Sequence, residues 1–409
     1  MKLAYFVIPH IGGTYTVFTA LRAALAPYGV DVSWFGLCED NPDVRHDVQR
    51  HTDSGMMMYL PPQTTEKERA KLVVEEIRKQ GYAGIFVNIL GDRFQTNISR
   101  YLPPDILRIA IVHNITPGTY AAAKAIRDYS HVTIGVSERI RQDLVEHHGF
   151  PRDRTFAVPS AIDTDAFRMA AERRKSAPAE LRTLFVGRIE DASKGVLWLR
   201  EILDALPDTI RLTVVGDGPD LAKLKRRLAN HASRVHFSGA VDPSRISTFI
   251  AEHDVLIMPS RFEGLGMTMI EAMAGGCVPV VSHIRGVTDT VVDDGRNGIL
   301  FPVGNYTAAA QAIARLDDNR DLLARMSDAA RETVPGRFGI ETMGARYNAI
   351  ITSALIDGPQ HLPTLDVDAW SIPNGLRAGL RTVIPLPLKN YLRVVRERLK
   401  RPNVLPHVF

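Results

Sequence analysis

Apolar and polar positions along the chain follow a repeating strand–helix rhythm. Short uninterrupted apolar runs predict strands that are buried on both faces, as in parallel sheets. These runs lie at 3–8, 30–37, 84–90, 108–113, 132–137, 181–186, 211–215, 235–238, 255–258 and 278–281. Apolar residues at helical spacing between them predict helices, for example at 16–26 and 66–80. Strands that alternate with helices are typical of α/β domains, in which helices connect parallel strands.

The same rhythm divides the chain into two domains and a tail. Its 409 residues are enough for two or three domains. We assign 1–165 to a first domain, 181–335 to a second domain, and 357–409 to a connector and tail. Proline and polar residues predict irregular chain at 39–63 and a linker at 168–180.

Composition narrows the setting of the protein. No apolar stretch reaches the roughly 18 residues that a membrane-spanning helix needs. The N-terminus has one Lys and a short apolar run, so it predicts a first strand and not a signal peptide. Cys38 and Cys277 lie in separate halves of the chain and in apolar surroundings. This pattern favours a reducing cytoplasm over a disulfide or a Cys-based metal site.

The net charge of +4 is unevenly distributed. Residues 376–401 hold eight basic side chains against Glu397 alone, a balance of +7, which leaves −3 for the rest of the chain. Within 386–401 an apolar stripe recurs at helical spacing, formed by Leu388, Leu392, Val395 and Leu399. A basic amphipathic helix of this kind can lie in the interface of an anionic membrane, on its inner face. The same stripe could instead pack on the protein, and the sequence leaves both possibilities open.

The segment 255–282 carries the densest chemistry. An apolar strand runs into a turn and a glycine-bearing loop, and a helix at 268–274 then leads to a second apolar strand. In open parallel sheets a ligand sits beyond the carboxyl ends of the strands, where the glycine loop and the helix N-terminus favour an anion. Glu263 would repel a bare phosphate and is better explained as an acceptor for hydroxyl groups. The expected ligand therefore carries both phosphate and hydroxyls.

At this point the sequence resembles a known family. The residues PSRFEGLGMTMIEAMAGGCVPVV, with Glu263 and Glu271 separated by seven residues, are similar to the signature of the retaining glycosyltransferases of family 4. The resemblance implies the GT-B fold, two Rossmann-like parallel-sheet domains facing across a cleft, here followed by a basic helical tail. In that fold the first domain is the acceptor side, and a helix at about 338–356 packs back onto it.

Further motifs of the family recur along the chain. Gly187-Arg188 and Lys194-Gly195 match its paired-cation motif, which implies that Arg188 and Lys194 bind the donor diphosphate. His113 matches a family His that contacts the donor sugar. Glu263 would hold sugar hydroxyls and Glu271 would accept from the ribose. The implied catalytic residues are His113, Glu263, Arg188 and Lys194. The implied donor-binding residues are Gly12, Gly13, Arg188, Lys194, Gly216, Val241, Glu263, Gly264, Leu265, Gly266, Met267 and Glu271.

The function implied is transfer of a sugar from a UDP- or GDP-linked donor to a sugar or lipid-linked glycan acceptor, with retention of configuration and no separate cofactor. Asp163-Thr164-Asp165 and Asp366-Val367-Asp368 have the spacing of a metal-binding triplet, but neither follows a buried strand, so no metal site is expected. No nucleic-acid partner is expected. Two alternatives remain open: an epimerase or phosphorylase of the same fold, and a catalytically silent binding subunit.

Overall fold

The computed structural model describes residues 1–9, 13–38, 53–89, 92–172, 180–356, 363–377 and 384–399. These residues fall into two compact units. The first lies within Met1–Ala161 and Phe338–Gly379, and the second lies within Ile162–Arg337 and Leu380–Phe409.

The first unit is built on a seven-stranded sheet. Its strands are β1 (Lys2–Phe6), β2 (Asp31–Cys38), β3 (Gly55–Tyr59), β4 (Gly84–Ile89), β5 (Leu107–Val112), β6 (Val132–Gly135) and β7 (Thr155–Ala157). They pair in parallel in the order β3-β2-β1-β4-β5-β6-β7. Its helices are α1 (Gly13–Leu25), α2 (Glu66–Lys79), α3 (Arg93–Ile98), α4 (Pro117–Ile126) and α5 (Glu138–Gln142).

The second unit repeats the plan with six strands. They are β8 (Arg182–Val186), β9 (Arg211–Val215), β10 (Val235–Gly239), β11 (Val255–Met258), β12 (Val278–His283) and β13 (Ile299–Pro302). They pair in parallel in the order β10-β9-β8-β11-β12-β13. Its helices are α6 (Thr164–Glu172), α7 (Asp191–Lys194), α8 (Leu199–Asp204), α9 (Leu221–Arg227), α10 (Ile246–Ala251), α11 (Met267–Ala274), α12 (Tyr306–Asp318), α13 (Arg320–Thr333) and α14 (Pro335–Phe338).

Local sequence explains why these elements form. The central strands β4, β5 and β11 are buried along their whole length, which suits strands covered by helices on both faces. Helix α2 begins at a capping box, in which Thr65 and Glu68 each bond the other's backbone N–H, and it buries an apolar stripe through Ile77. The predicted class, two Rossmann-like parallel-sheet units with a helical tail, is confirmed.

The last two helices belong to different units. Helix α15 (Ile340–Ile356) packs on α1 so closely that a Cβ on Gly344 would lie 2.3 Å from the backbone oxygen of Ala24. The strap at 363–377 also belongs to the first unit, where Trp370 stacks on Tyr101 with ring centroids 4.6 Å apart. Helix α16 (Leu386–Leu399) belongs to the second unit. The segment 357–409, taken from the sequence as one connector and tail, is therefore shared between the two units.

Two further predictions need correction. Irregular chain was expected at 39–63, but 55–59 forms the edge strand β3, with Met56 opposite Phe35 on β2. Three successive methionines show no polar–apolar alternation, so periodicity gave no sign of a strand. The first part of the expected linker at 168–180 is helical, because α6 continues to Glu172. Residues 39–52 and 173–179 lie outside the described part of the chain.

Both sheets have a point at which the strand order reverses. In the first sheet it lies between β1 and β4, and in the second it lies between β8 and β11. The connections diverge there and leave a crevice at the carboxyl ends of the strands, which is where ligands bind in open α/β sheets. None of the described helices is long and apolar enough to span a bilayer.

Candidate functional site

The loops that follow β8 and β9 are in very close contact. Gly216 has φ 136°, and a Cβ at this position would lie 1.9 Å from the backbone oxygen of Gly187. Any other residue would force these loops apart, so glycine is required here. Val241 lies in the chain that follows the neighbouring strand β10. The structure thus places Gly187, Gly216 and Val241 along the carboxyl edge of the second sheet.

The center of the second unit's site is an ion pair between Lys194 and Glu263. Lys194 Nζ donates to Glu263 Oε1 at 2.6 Å, and Ser260 Oγ donates to the same oxygen at 2.7 Å. Glu263 is only 8% exposed, so the pair is largely shielded from water. None of the described residues bonds Oε2, and the ammonium group has three N–H donors, of which this bond uses one. Both partners therefore retain capacity for a ligand.

Short contacts hold the two loops that supply this pair. A Cβ on Gly195, which has φ 60°, would lie 2.2 Å from the backbone oxygen of Pro259. Arg261 donates to the carboxylate of Asp191 at 2.8 Å, and its guanidinium carbon lies 3.7 Å from the ring centroid of Trp198. These contacts fix the loop after β11 against α7, so the distance between Lys194 and Glu263 is set by several independent interactions.

Arg188 is placed differently from Lys194. Its side chain is 69% exposed, and its Nε lies 4.0 Å from Glu190 Oε1, at the outer limit of an ion pair. A long, exposed side chain at the carboxyl end of β8 can turn toward an anion at low cost. Of the two cations predicted to bind the diphosphate, Lys194 is bonded to Glu263, whereas Arg188 extends into solvent.

Helix α11 follows the glycine loop. Gly264 and the buried Leu265 lead to Gly266, and the helix begins at Met267. The first turn of a helix presents backbone N–H groups and a partial positive charge. The predicted donor-binding residues 264–267 therefore lie at the end of a helix that favours an anion.

Glu271 lies one turn further along α11. Burial raises the pKa of its carboxyl to about 7. Among the described residues, none forms a hydrogen bond or ion pair with this carboxyl group. A half-buried carboxyl without a partner among the described residues is suited to accept hydroxyl groups of a ligand.

In the first unit, the predicted residue His113 is part of a series of hydrogen bonds between uncharged groups, which runs through Asn88 to Phe6. Asn88, on β4, donates through Nδ2 to the backbone oxygen of Phe6 at 2.9 Å. Its Oδ1 must then accept from His113 Nε2, 2.8 Å away. Burial lowers the pKa of His113 to about 4. The imidazole is therefore neutral at physiological pH, with the proton on Nε2 and a lone pair on Nδ1.

Asn88 was missed in the sequence. It links β1, β4 and the end of β5 across the reversal point of the first sheet. A polar residue next to the end of an otherwise apolar strand, Ile85-Phe86-Val87-Asn88-Ile89, was the available signal. Of the predicted glycine pair, Gly13 is the first residue of α1, whereas Gly12 lies outside the described residues.

The two Asp-x-Asp triplets have local structural roles. Asp163 accepts from the backbone N–H of Ala166 at the start of α6, and Asp165 pairs with Arg168. Asp366 accepts from the N–H of Asp368, whose own carboxylate pairs with Lys71 at 2.6 Å. Within the described ranges, no group of three or more His, Cys, Asp or Glu could hold a metal ion.

Comparison with known proteins identifies a family for part of the second unit. Residues 180–319 match the family model described as glycosyl transferases group 1. The second unit, which holds the Lys194–Glu263 pair, therefore contains a glycosyl transferases group 1 domain.

The chain is similar to curated glycosyltransferases over part of its length. It is 32% identical over 236 residues to D-inositol 3-phosphate glycosyltransferase of Streptomyces scabiei, which covers 53% of this chain and 52% of that protein. It is 24% identical over 248 residues to a sulfoquinovosyl transferase of Arabidopsis thaliana, covering 58% of this chain and 47% of that one. The chain thus spans about half the length of these relatives.

Solved structures share the fold over a larger part of the chain. Sucrose-phosphate synthase of Thermosynechococcus elongatus superposes with a TM-score of 0.71 at 21% identity and covers 87% of this chain and 100% of its own. Anabaena Alr3699/HepE, in a complex with UDP-glucose, gives a TM-score of 0.70 at 16% identity and covers 86% and 100%. At these identities the likeness shows the fold alone.

Proposed function

We propose that this protein is a glycosyltransferase that moves a hexosyl group from a UDP- or GDP-linked donor to a sugar or lipid-linked glycan acceptor, with retention of anomeric configuration. The observation that carries the proposal is the Lys194–Glu263 pair together with the carboxyl of Glu271, which has no partner among the described residues; all three lie within the segment that matches the glycosyltransferase model. This set offers cations for a diphosphate and acceptors for hydroxyls.

In this proposal the second unit handles the charge of the donor. Lys194 uses its remaining N–H donors on the diphosphate, Arg188 turns onto it from the loop, and the first turn of α11 adds backbone donors. Glu263 Oε2 accepts from sugar hydroxyls, and Glu271 accepts from the ribose. These roles need no cofactor beyond the donor itself.

The bond changes balance without a covalent enzyme intermediate. The bond between the anomeric carbon and the phosphate oxygen breaks, and a bond from that carbon to the acceptor oxygen forms on the same face. The acceptor's hydroxyl proton passes to the departing phosphate. His113, neutral with a lone pair on Nδ1, contacts the donor sugar.

Metal independence is part of the proposal. It is supported by the two cations at the carboxyl end of β8 and by the structural roles of both Asp-x-Asp triplets. A reducing cytoplasm is the proposed location, in keeping with Cys38 and Cys277, which lie in different units.

A panel of UDP- and GDP-sugars tests the proposal. Thermal stabilization should identify one donor, and incubation with this donor should release the nucleoside diphosphate. NMR of the transferred product should show the donor's anomeric configuration. Isomerisation of the donor without transfer would indicate an epimerase, and donor binding without turnover would indicate a silent subunit. The activity should persist in a chelator; loss that manganese or magnesium restores would contradict the metal-free mechanism.

A further inference from the structure

Helix α16 is attached to the second unit by its polar face. Glu397, 8% exposed, accepts from the backbone N–H of Arg285 at 2.9 Å. Arg398 Nε donates to the backbone oxygen of Val303 at 2.8 Å. The guanidinium carbon of Arg393 lies 4.5 Å from the ring centroid of Phe262, and Asn390 is also buried. The polar side of an amphipathic helix is normally expected to face water. In α16 this polar side contacts the second unit instead.

The apolar side of α16 is exposed. Leu388 and Leu392 are about half exposed, Tyr391 is 66% exposed and Leu399 is 75% exposed. In the described chain, eleven large hydrophobic residues are exposed, and four of them lie on this one helix. Helical geometry puts the stripe opposite Asn390 and Glu397, because residues at intervals of three and four share a face. Among the described residues, Leu388, Leu392 and Leu399 of the predicted stripe are therefore exposed, whereas Val395 is half-buried.

Basic residues border the exposed stripe. Lys389 and Arg396 lie along one edge of it, and Arg398 lies along the other. Contiguous exposed apolar surface that is rimmed by polar residues marks an interaction site. A rim of cations around leucine and tyrosine favours a surface that is apolar inside and anionic outside, as an anionic bilayer is.

We propose that the exposed face of α16 docks the protein on an anionic membrane, with the helix lying flat in the interface. Leu388, Leu392 and Leu399 enter the boundary between headgroups and acyl chains, and Lys389 and Arg396 contact anionic headgroups. The polar face remains packed on the second unit, so α16 can dock on the membrane without detaching from the protein. The purpose of docking, access to a lipid-linked acceptor, rests on the proposed function; the docking itself does not.

The test is co-sedimentation of the full chain with two kinds of vesicle, phosphatidylcholine alone and phosphatidylcholine mixed with phosphatidylglycerol. The full chain should pellet with the mixed vesicles, and added salt should release it. Leu388→Ser/Leu392→Ser should lower the partition coefficient by at least about tenfold, because the buried apolar area is lost. Lys389→Gln/Arg396→Gln should lower it by about tenfold on mixed vesicles. Truncation is a poorer test, because it also removes the contacts of Arg393 and Glu397.

The matched control is Leu355→Ser/Ile356→Ser, which changes two exposed apolar residues on α15 and should leave vesicle binding unchanged. Thermal unfolding of each variant checks that it is folded. The proposal would be overturned if all variants pelleted equally, or if the protein bound equally to vesicles with and without phosphatidylglycerol. A dimer of the full chain that Leu388→Ser/Leu392→Ser converts to a monomer would also overturn it, since a second copy then covers the stripe. Donor binding measured without vesicles should be the same in all these variants, so failure of the proposed function is detected separately.

Discussion

At the carboxyl ends of their strands, the two units carry different kinds of polar group. The second unit places salt bridges there, Lys194 with Glu263 and Arg261 with Asp191. The first unit places a hydrogen bond between two neutral side chains, His113 and Asn88. Since the strand orders are nearly the same, the sheet specifies only where a ligand lies. The side chains at the strand ends decide whether charge or a neutral polar group is accommodated.

The largest expected effect comes from removing a cation of the second unit. Lys194→Ala and Arg188→Ala should each lower kcat/KM by at least about 10²-fold, because one donor to developing negative charge contributes roughly 3 kcal/mol. Steady-state kinetics with the identified donor measures this. The exposed Lys223→Ala in the same unit is the control. Wild-type kinetics in Lys194→Ala would show that the ion pair is structural and that the diphosphate lies elsewhere.

Introducing a charge into the first unit should remove the contrast between the units. In Asn88→Asp a carboxylate would face His113 Nε2, and an opposite charge at hydrogen-bond distance favours the protonated imidazole. We expect the pKa of His113 to rise from about 4 to 6.5 or above. An NMR titration of the imidazole measures it, with His131 as the internal control because it bonds the backbone N–H of Arg108 instead. An unchanged His113 titration would contradict the assigned hydrogen bond.

The neutral histidines of the first unit also predict how stability depends on pH. Burial lowers the pKa of both His113 and His131 to about 4, below the unfolded value of 6.5. The unfolded chain therefore binds more protons between these values, so stability is full above about pH 6.5 and falls as the pH drops toward 4. From pH 7 to pH 5 each histidine should cost about 2 kcal/mol. Urea unfolding of wild type and His131→Gln tests this; the variant should lose about 2 kcal/mol less, and an equal loss would refute the prediction.

The smallest expected effect concerns Glu271, whose pKa is raised to about 7. Because the ionised carboxylate is the stronger acceptor, nucleotide affinity should increase by up to about tenfold between pH 6 and pH 8. Glu271→Gln should bind about as weakly as the protonated form and show little of this pH dependence. Calorimetric titration with the nucleoside diphosphate measures it, with the exposed Glu252→Gln as the control. A pH profile that persists in Glu271→Gln would assign the effect to another group.

The same contrast explains what could be predicted from the sequence. In the second unit the strands at 211–215 and 255–258 were placed correctly to the residue, because apolar runs between glycine turns are a strong local signal. The candidate site residues Lys194 and Glu263 are charged and come after β8 and β11, which made them visible as candidates in the sequence. Their pairing was not visible, because Lys194 and Glu263 are 69 residues apart and were given separate roles.

The first unit was harder to interpret. The edge strand β3 and the six-residue helix α3 carry no clear period, and both were missed. Asn88 gives no signal by charge or motif, and its role depends on three strands coming together. The apolar stripe on α16 faces outward because Glu397 and Arg398 bond the backbone groups of Arg285 and Val303. The pattern of side chains along the sequence does not reveal such backbone partners.

The position of α16 on the second unit also affects how the protein would meet its acceptor. Phe262, Arg285 and Val303 follow β11, β12 and β13, so the helix rests on the carboxyl edge of the second sheet, the edge that also carries Lys194 and Glu263. A protein docked through α16 would meet an acceptor that diffuses in two dimensions within the lipid. Turnover would then follow the number of acceptor molecules per unit area of membrane, and diluting the vesicles at constant acceptor density would leave the rate per bound protein unchanged.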